Sequence, residues 1–161
     1  MLHRWKFVLA LAAVAAFLSV RAEERTLTLD PTASKVTFSL GGTTHDVHGT
    51  LHLKGGEIRF DPETGAAAGE ISIDASRAES GNEKRDKTMH RKVLETETHP
   101  FILFEAERLN GTVAESGASH FELVGTISIV GSEHPVVLPV NAQIDGNRVT
   151  ASSTISIPYV E

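Results

Sequence analysis

The sequence predicts an all-β domain, an antiparallel sheet of about seven or eight strands closed into a barrel or folded into a sandwich, with one helical segment. Three observations predict it. Apolar and polar residues alternate with period two along most of the chain, as half-buried strands do. Turn signals rich in Gly, Asp, Asn and Pro separate the alternating runs. One stretch alone breaks the period, and it carries the marks of a helix.

The N-terminus stands apart. Arg4 and Lys6 precede an apolar run from Phe7 to Val20 that ends in Val20-Arg21-Ala22, the layout of a cleaved secretory signal. That fourteen-residue run would span about 21 Å as a helix, short of a roughly 30 Å hydrocarbon core. Residues 1–22 are therefore expected to be a Sec-type signal peptide and residues 23–161 the mature domain. The destination would be the periplasm or the medium, with no stable membrane insertion after cleavage.

From Ser34 the elements follow in order. Val36, Phe38 and Leu40 share one face, as do Val47, Gly49, Leu51 and Leu53. Gly55-Gly56 reads as a turn, after which Ile58 and Phe60 resume. Asp61-Pro62-Glu63-Thr64-Gly65 is a turn in which proline presets its dihedral and glycine takes a left-handed one. Gly69, Ile71, Ile73 and Ala75 alternate next. Ser80-Gly81-Asn82-Glu83 matches a capping box with Ser80 as N-cap, and Asn82–Leu94 is charged, free of Gly and Pro, and spaces Met89 and Val93 by four. After His99-Pro100, Ile102, Phe104 and Ala106 return to strand. Asn110-Gly111 separates them from Phe121, Leu123, Gly125, Ile127 and Ile129. Then come Val136 to Ile144, the tight turn Asp145-Gly146-Asn147, and Val149 to Ile157. The small inward residues (Gly49, Gly69, Gly125, Ala142, Ala151, Ser153) fit a hollow, a bend or close packing.

Composition removes several function classes. The 161 residues include no cysteine, which excludes disulfides, thiolate metal sites, a thiol nucleophile and a lipoprotein anchor. The net charge is −6. Without Arg4, Lys6 and Arg21 the 15 basic residues fall to 12 against 21 acidic ones, giving −9, which speaks against nucleic acid as a partner. Five Phe and Tyr159 would be the only mature aromatics, few for stacking on bases or sugars.

Chemistry-bearing patterns are sparse. His45, His48 and His52 form the one histidine cluster, but His45 and His48 would face opposite ways on a strand and His48 and His52 would lie about 13 Å apart, so no metal is expected. No nucleophile elbow, phosphate-binding loop or zinc-binding helix motif is present. No catalytic residue, cofactor or enzymatic activity is expected. Arg85, in Asn82-Glu83-Lys84-Arg85-Asp86, is the most suggestive polar residue, either meeting a ligand's polar head or pairing with a carboxylate that pins the helix.

The ordered series L-D-P-T-A-S-K-V-T-F, H-D-V-H-G-T-L, G-E-I-R-F-D-P, I-S-I-D-A-S-R-A-E-S-G-N-E-K-R-D, H-P-F-I-L-F-E-A, L-V-G-T-I-S-I-V-G and P-V-V-L-P-V resembles the YceI family of exported bacterial lipid-binding proteins, from about Leu27 to Glu161. The resemblance implies a lipocalin-like antiparallel β-barrel that binds a long amphiphile, an isoprenoid or fatty-acid derivative, without catalysis. Strand parity then selects Val36, Phe38, Leu51, Ile71, Ile73, Met89, Ile102, Phe104, Leu123, Ile127, Leu138 and Val140 as apolar lining, with Arg85 as the contact for a polar head. Enclosing about ten methylenes at roughly 0.8 kcal/mol each gives about 8 kcal/mol gross, much of it offset by lost freedom.

Two departures stand out. Val130 occupies the position before Gly131 where family members carry histidine. The related subgroup continues past a P-Y-V segment into another strand, so the barrel is expected to lack its last, closing strand. An open seam would accept a second copy as a homodimer, or a foreign strand. That supplies the alternative function, an envelope stress or redox accessory module that binds proteins through an open barrel edge.

Overall fold

The computed structural model describes residues 23–40 and 46–157. The expected signal peptide, His45 and Tyr159 lie outside them. Eight strands form one antiparallel sheet: β1 (Arg25–Leu29), β2 (Val36–Leu40), β3 (Val47–Phe60), β4 (Ala66–Glu79), β5 (Phe101–Gly111), β6 (Gly117–Ile129), β7 (Ser132–Asp145) and β8 (Arg148–Ser153). Between β4 and β5 lie α1 (Glu83–Thr88) and a π-helical turn (Met89–Val93). From β3 to β8 each strand pairs with its sequence neighbour, while β1 and β2 both pair with β3. The sheet curls into a half-barrel, with no pairing between β1 or β2 and β8 among the described residues. No described helix is long and apolar enough to cross a membrane.

β1 and β2 act as one interrupted edge strand. Arg25–Leu29 pairs with Phe60–Gly56, and Val36–Leu40 with Leu51–Val47. Asp30 turns the chain between them, its carboxylate accepting from Thr32 N at 2.8 Å and Thr32 Oγ1 at 2.7 Å. These bonds hold Asp30 below the usual carboxylate range, the Thr32 hydroxyl contributing most. Asp61 is lowered likewise, chiefly by the Thr64 hydroxyl and then by Glu63 N at 2.8 Å.

Gly55-Gly56 is not a turn. β3 runs straight through it, with a register shift between Leu53/Ile73 and Gly55/Ser72. The bulge moves the inner face from odd positions (Leu51, Leu53) to even ones (Ile58, Phe60), which no turn would need to do. At Gly56 a Cβ would come within 2.7 Å of the Glu70 carbonyl and 2.9 Å of Ile71 Cα, so the backbones approach too closely for a side chain. The Phe38 ring lies across Gly49 in the same way, so Gly49 marks close packing rather than a hollow.

Two-residue turns close β6–β7 and β7–β8. Their flanking pairs are Ile129↔Ser132 and Asp145↔Arg148, and the flanking pair of such a turn is the hydrogen-bonded one. Both turns give the same answer. Even residues of β7 aim their backbone groups at β6, and odd residues aim theirs at β8. Pro135 and Pro139 are odd, so their missing N–H groups fall on the β8 side, as proline in a strand requires. β8 pairs only as far as Val140↔Ser153, one residue short of Pro139.

The inner face carries two apolar clusters. Ile58, Phe60, Phe104, Ala106, Leu109, Phe121, Leu123, Val140 and Ala142 interlock at the end where β3 finishes. Ala75, Ile102 and Ile127 form a second cluster toward the helical segment, covered by half-buried Leu51, Ile73, Leu94, Ile155 and Ile157.

Candidate functional site

The helical segment lies at the end of the half-barrel where β4 finishes and β5 begins. Its N-cap is Asn82, whose side-chain oxygen accepts from Arg85 N at 3.0 Å, and not Ser80. Gly81, in left-handed conformation at φ 81°, turns Ser80 away from the helix axis. Ser80 becomes a clasp instead. Its N–H donates to Asp86 Oδ1 at 3.0 Å and its hydroxyl also donates to Asp86. Arg85 Nε donates to Ser80 Oγ at 2.8 Å and Arg85 Nη2 to Ser80 O at 2.8 Å. The guanidinium is therefore held by backbone and hydroxyl oxygens rather than by a carboxylate, and it remains exposed.

Further along, His90 Nε2 lies 2.9 Å from Ala78 O, which can only accept, so Nε2 donates. His90 Nδ1 is then free to accept from the Thr96 hydroxyl at 3.3 Å. The π-helical turn closes with Leu94 N donating to Met89 O at 2.8 Å. This wider turn keeps Met89 buried and Val93 half-buried on the inward side.

Two clefts open to solvent border this half of the molecule. One, of about 440 Å³, lies between the start of β3 and the helical segment, with Val47, Met89 and Val93 as apolar floor and Asn82, Lys84, Arg85 and Thr88 around the rim. The other, of about 540 Å³, separates the β7 edge (His134 to Pro139) from residues 154–157.

The residues expected to line a cavity all turn inward, buried or half-buried, but they do not gather in one place. Phe104, Leu123 and Val140 sit within the interlocked first cluster, with Ile71 and Leu138 packed against it. Ile102 and Ile127 anchor the second cluster beside Leu51 and Ile73. Met89 belongs to the smaller cleft, as does Arg85 at its rim. Val36 and Phe38 lie half-buried on the edge strand β2. Sequence reasoning missed Lys84 and Thr88 at the rim and Ile155 and Ile157 as cover of the second cluster. The latter pair could have been found from Pro139, which ends β8 pairing and frees the chain beyond Ser153. Among the described residues no group of three His, Asp or Glu side chains is placed to hold a metal ion.

The YceI-like domain family model matches residues 27–159. A solved structure of Burkholderia cenocepacia BcnA superposes with a TM-score of 0.65 at 19% identity, covering 77% of each chain. A polyisoprenoid binding domain from Saccharophagus degradans, implicated in plant cell wall breakdown, superposes with a TM-score of 0.57 at 16% identity over 77% of this chain and 71% of that one. At these identities the likeness is one of fold. A comparison with curated protein sequences finds no match.

Proposed function

Because the chain belongs to the YceI-like domain family, we propose that it binds, carries or sequesters a long apolar amphiphile, an isoprenoid or fatty-acid derivative, without catalysing a reaction. The observation that carries this reading is the second apolar cluster. Leu51, Ile73, Ile102 and Ile127 form an inner surface that no further strand covers among the described residues, with Leu94, Ile155 and Ile157 packed over it beside Ile129 and Val136. An apolar tail lying there would replace those contacts and extend toward Met89 and Val93. Arg85 and Lys84 at the rim of the smaller cleft would face a polar head. The first cluster, where Phe60 and Ile58 are almost wholly buried, has a structural role in this reading and limits how deep a tail reaches.

Export to the periplasm or the medium, directed by residues 1–22, places the protein where such lipids need shielding from water. The likeness to a polyisoprenoid binding domain favours a lipid-like ligand. Native mass spectrometry of protein taken from a bacterial envelope tests the proposal. An adduct of one amphiphile per chain is expected, and the adduct should be lost on delipidation and restored by a polyprenol or fatty acid. Protein that is empty as isolated and takes up neither class would refute it.

A further inference from the structure

We propose that the outward face of the helical segment docks the protein peripherally on an anionic lipid bilayer. Lys84, Lys87 and Arg91 recur at i, i+3 and i+7, which places them on one face of the segment. All three are exposed, while Met89 is buried and Val93 half-buried on the other side. Lys92 and Arg85 flank the stripe and are exposed as well. Glu83 and Asp86 offset part of this charge, leaving five basic residues against two acidic ones across Glu83–Val93. Neither of the two ion pairs among the described residues involves this segment. Glu79, Glu95 and Glu97 lie at its two ends. This basic face thus stands out on a chain whose net charge is −6, and an acidic body turned away from a negative surface would orient the molecule on it.

The surface adjoins the smaller cleft, since Lys84, Arg85 and Thr88 form part of the cleft rim. A bilayer against the stripe would lie beside the mouth of that cleft, with the segment between it and the apolar floor of Met89 and Val93. The inference rests on charge and exposure, not on the amphiphile reading, so a protein that docks but takes up no lipid would keep this proposal and lose the other.

The test is co-sedimentation of the full chain with vesicles of phosphatidylcholine alone or mixed with phosphatidylglycerol, combined with amide hydrogen exchange. Binding is expected to the mixed vesicles only, to weaken with added salt, and to slow exchange across Asn82–Val93 regardless of what residues 1–22 do. The K84Q/K87Q/R91Q variant should lose about a hundredfold in affinity, at roughly fivefold per charge. A control with the same change in net charge, R59Q/R108Q/R148Q, alters exposed residues at the opposite end of the sheet and should bind nearly as well as wild type. The conservative K84R/K87R/R91K should also bind. Absence of wild-type binding, an equal loss in the control, or unchanged exchange across Asn82–Val93 would each overturn the proposal. The exchange measurement on the wild type decides the matter even if the neutralised variant fails to fold.

Discussion

Replacing Pro135 and Pro139 with valine tests the backbone parity of β7 directly. Both prolines are exposed on the outer face, so no core contact is lost. The edge from Pro135 to Pro139 now offers three outward carbonyls but only the N–H of Val137. The double substitution restores two donors on that edge. If a second chain added a strand there, each new bond would contribute about 0.5–1.5 kcal/mol, or about 1–3 kcal/mol together. That corresponds to roughly a five- to 150-fold gain in self-association. Concentration-dependent light scattering should show the gain, and amide exchange in the dilute monomer should find positions 135 and 139 exchanging fast. Slow exchange at both positions in the monomer, with residues 154–157 still exchanging fast and no gain in association, would mean that those groups face β6, and the parity argument would fail.

Other consequences are as direct. Phe60→Ala should cost about 3–5 kcal/mol of stability in chemical denaturation, because the ring is almost wholly buried, yet amphiphile affinity of the folded fraction should hold within about twofold, since the first cluster is not the proposed binding surface. Met89→Glu should do the reverse, lowering polyprenol or fatty-acid uptake at least about tenfold in a binding titration while the sheet persists by circular dichroism. Asp86→Asn weakens charge-assisted bonds to Ser80, so about 1–2 kcal/mol and faster amide exchange confined to Ser80–Val93 are expected. Asp61 has a folded-state pKa below its unfolded value, so its stabilisation is complete above the unfolded value of about 3.9 and is lost as pH falls through the lower folded one. Thermal unfolding followed downward from about pH 5 should therefore fall less steeply for Asp61→Asn than for the wild type.

Much of this architecture could be read before any coordinates. Period-two alternation put Ile71, Ile73, Phe104, Leu123, Ile127 and Val140 on the concave face, because a curled antiparallel sheet with one covered side imposes that pattern on its strands. The same pattern in Arg-Thr-Leu-Thr-Leu, now β1, is missed because five residues are a weak signal beside the apolar run expected to be a signal peptide. Gly55-Gly56 misled because paired glycines serve turns and bulges alike. The change from odd Leu53 to even Ile58 was the available clue, since only an inserted residue reverses parity along a continuous strand. Ser80 fitted a capping pattern, but Asn82 is also a strong cap, and the choice depended on the backbone of Gly81. Arg85, expected to meet a polar head or a carboxylate, lies at a cleft rim and is bonded to Ser80. Its hold on Ser80 depends on how the chain doubles back after β4, which spacing does not encode. The split of the inner face into a sealed end and a thinly covered end depends on where β8 stops, a matter of which edge a proline's ring nitrogen faces.

The role of β3 as partner to three strands sets an order of assembly. From β3 to β8 each ladder forms between neighbours in sequence, so pairing can advance strand by strand, with one longer closure across the helical segment between β4 and β5. Arg25–Leu29 cannot join until Gly56–Phe60 exists, which makes the first strand a late arrival. In a chain that grows or is threaded from its N-terminus, the earliest residues must wait in solution for a template made later. Pulse-labelling during refolding should accordingly show amides of β1 gaining protection after those of the β3–β4 hairpin.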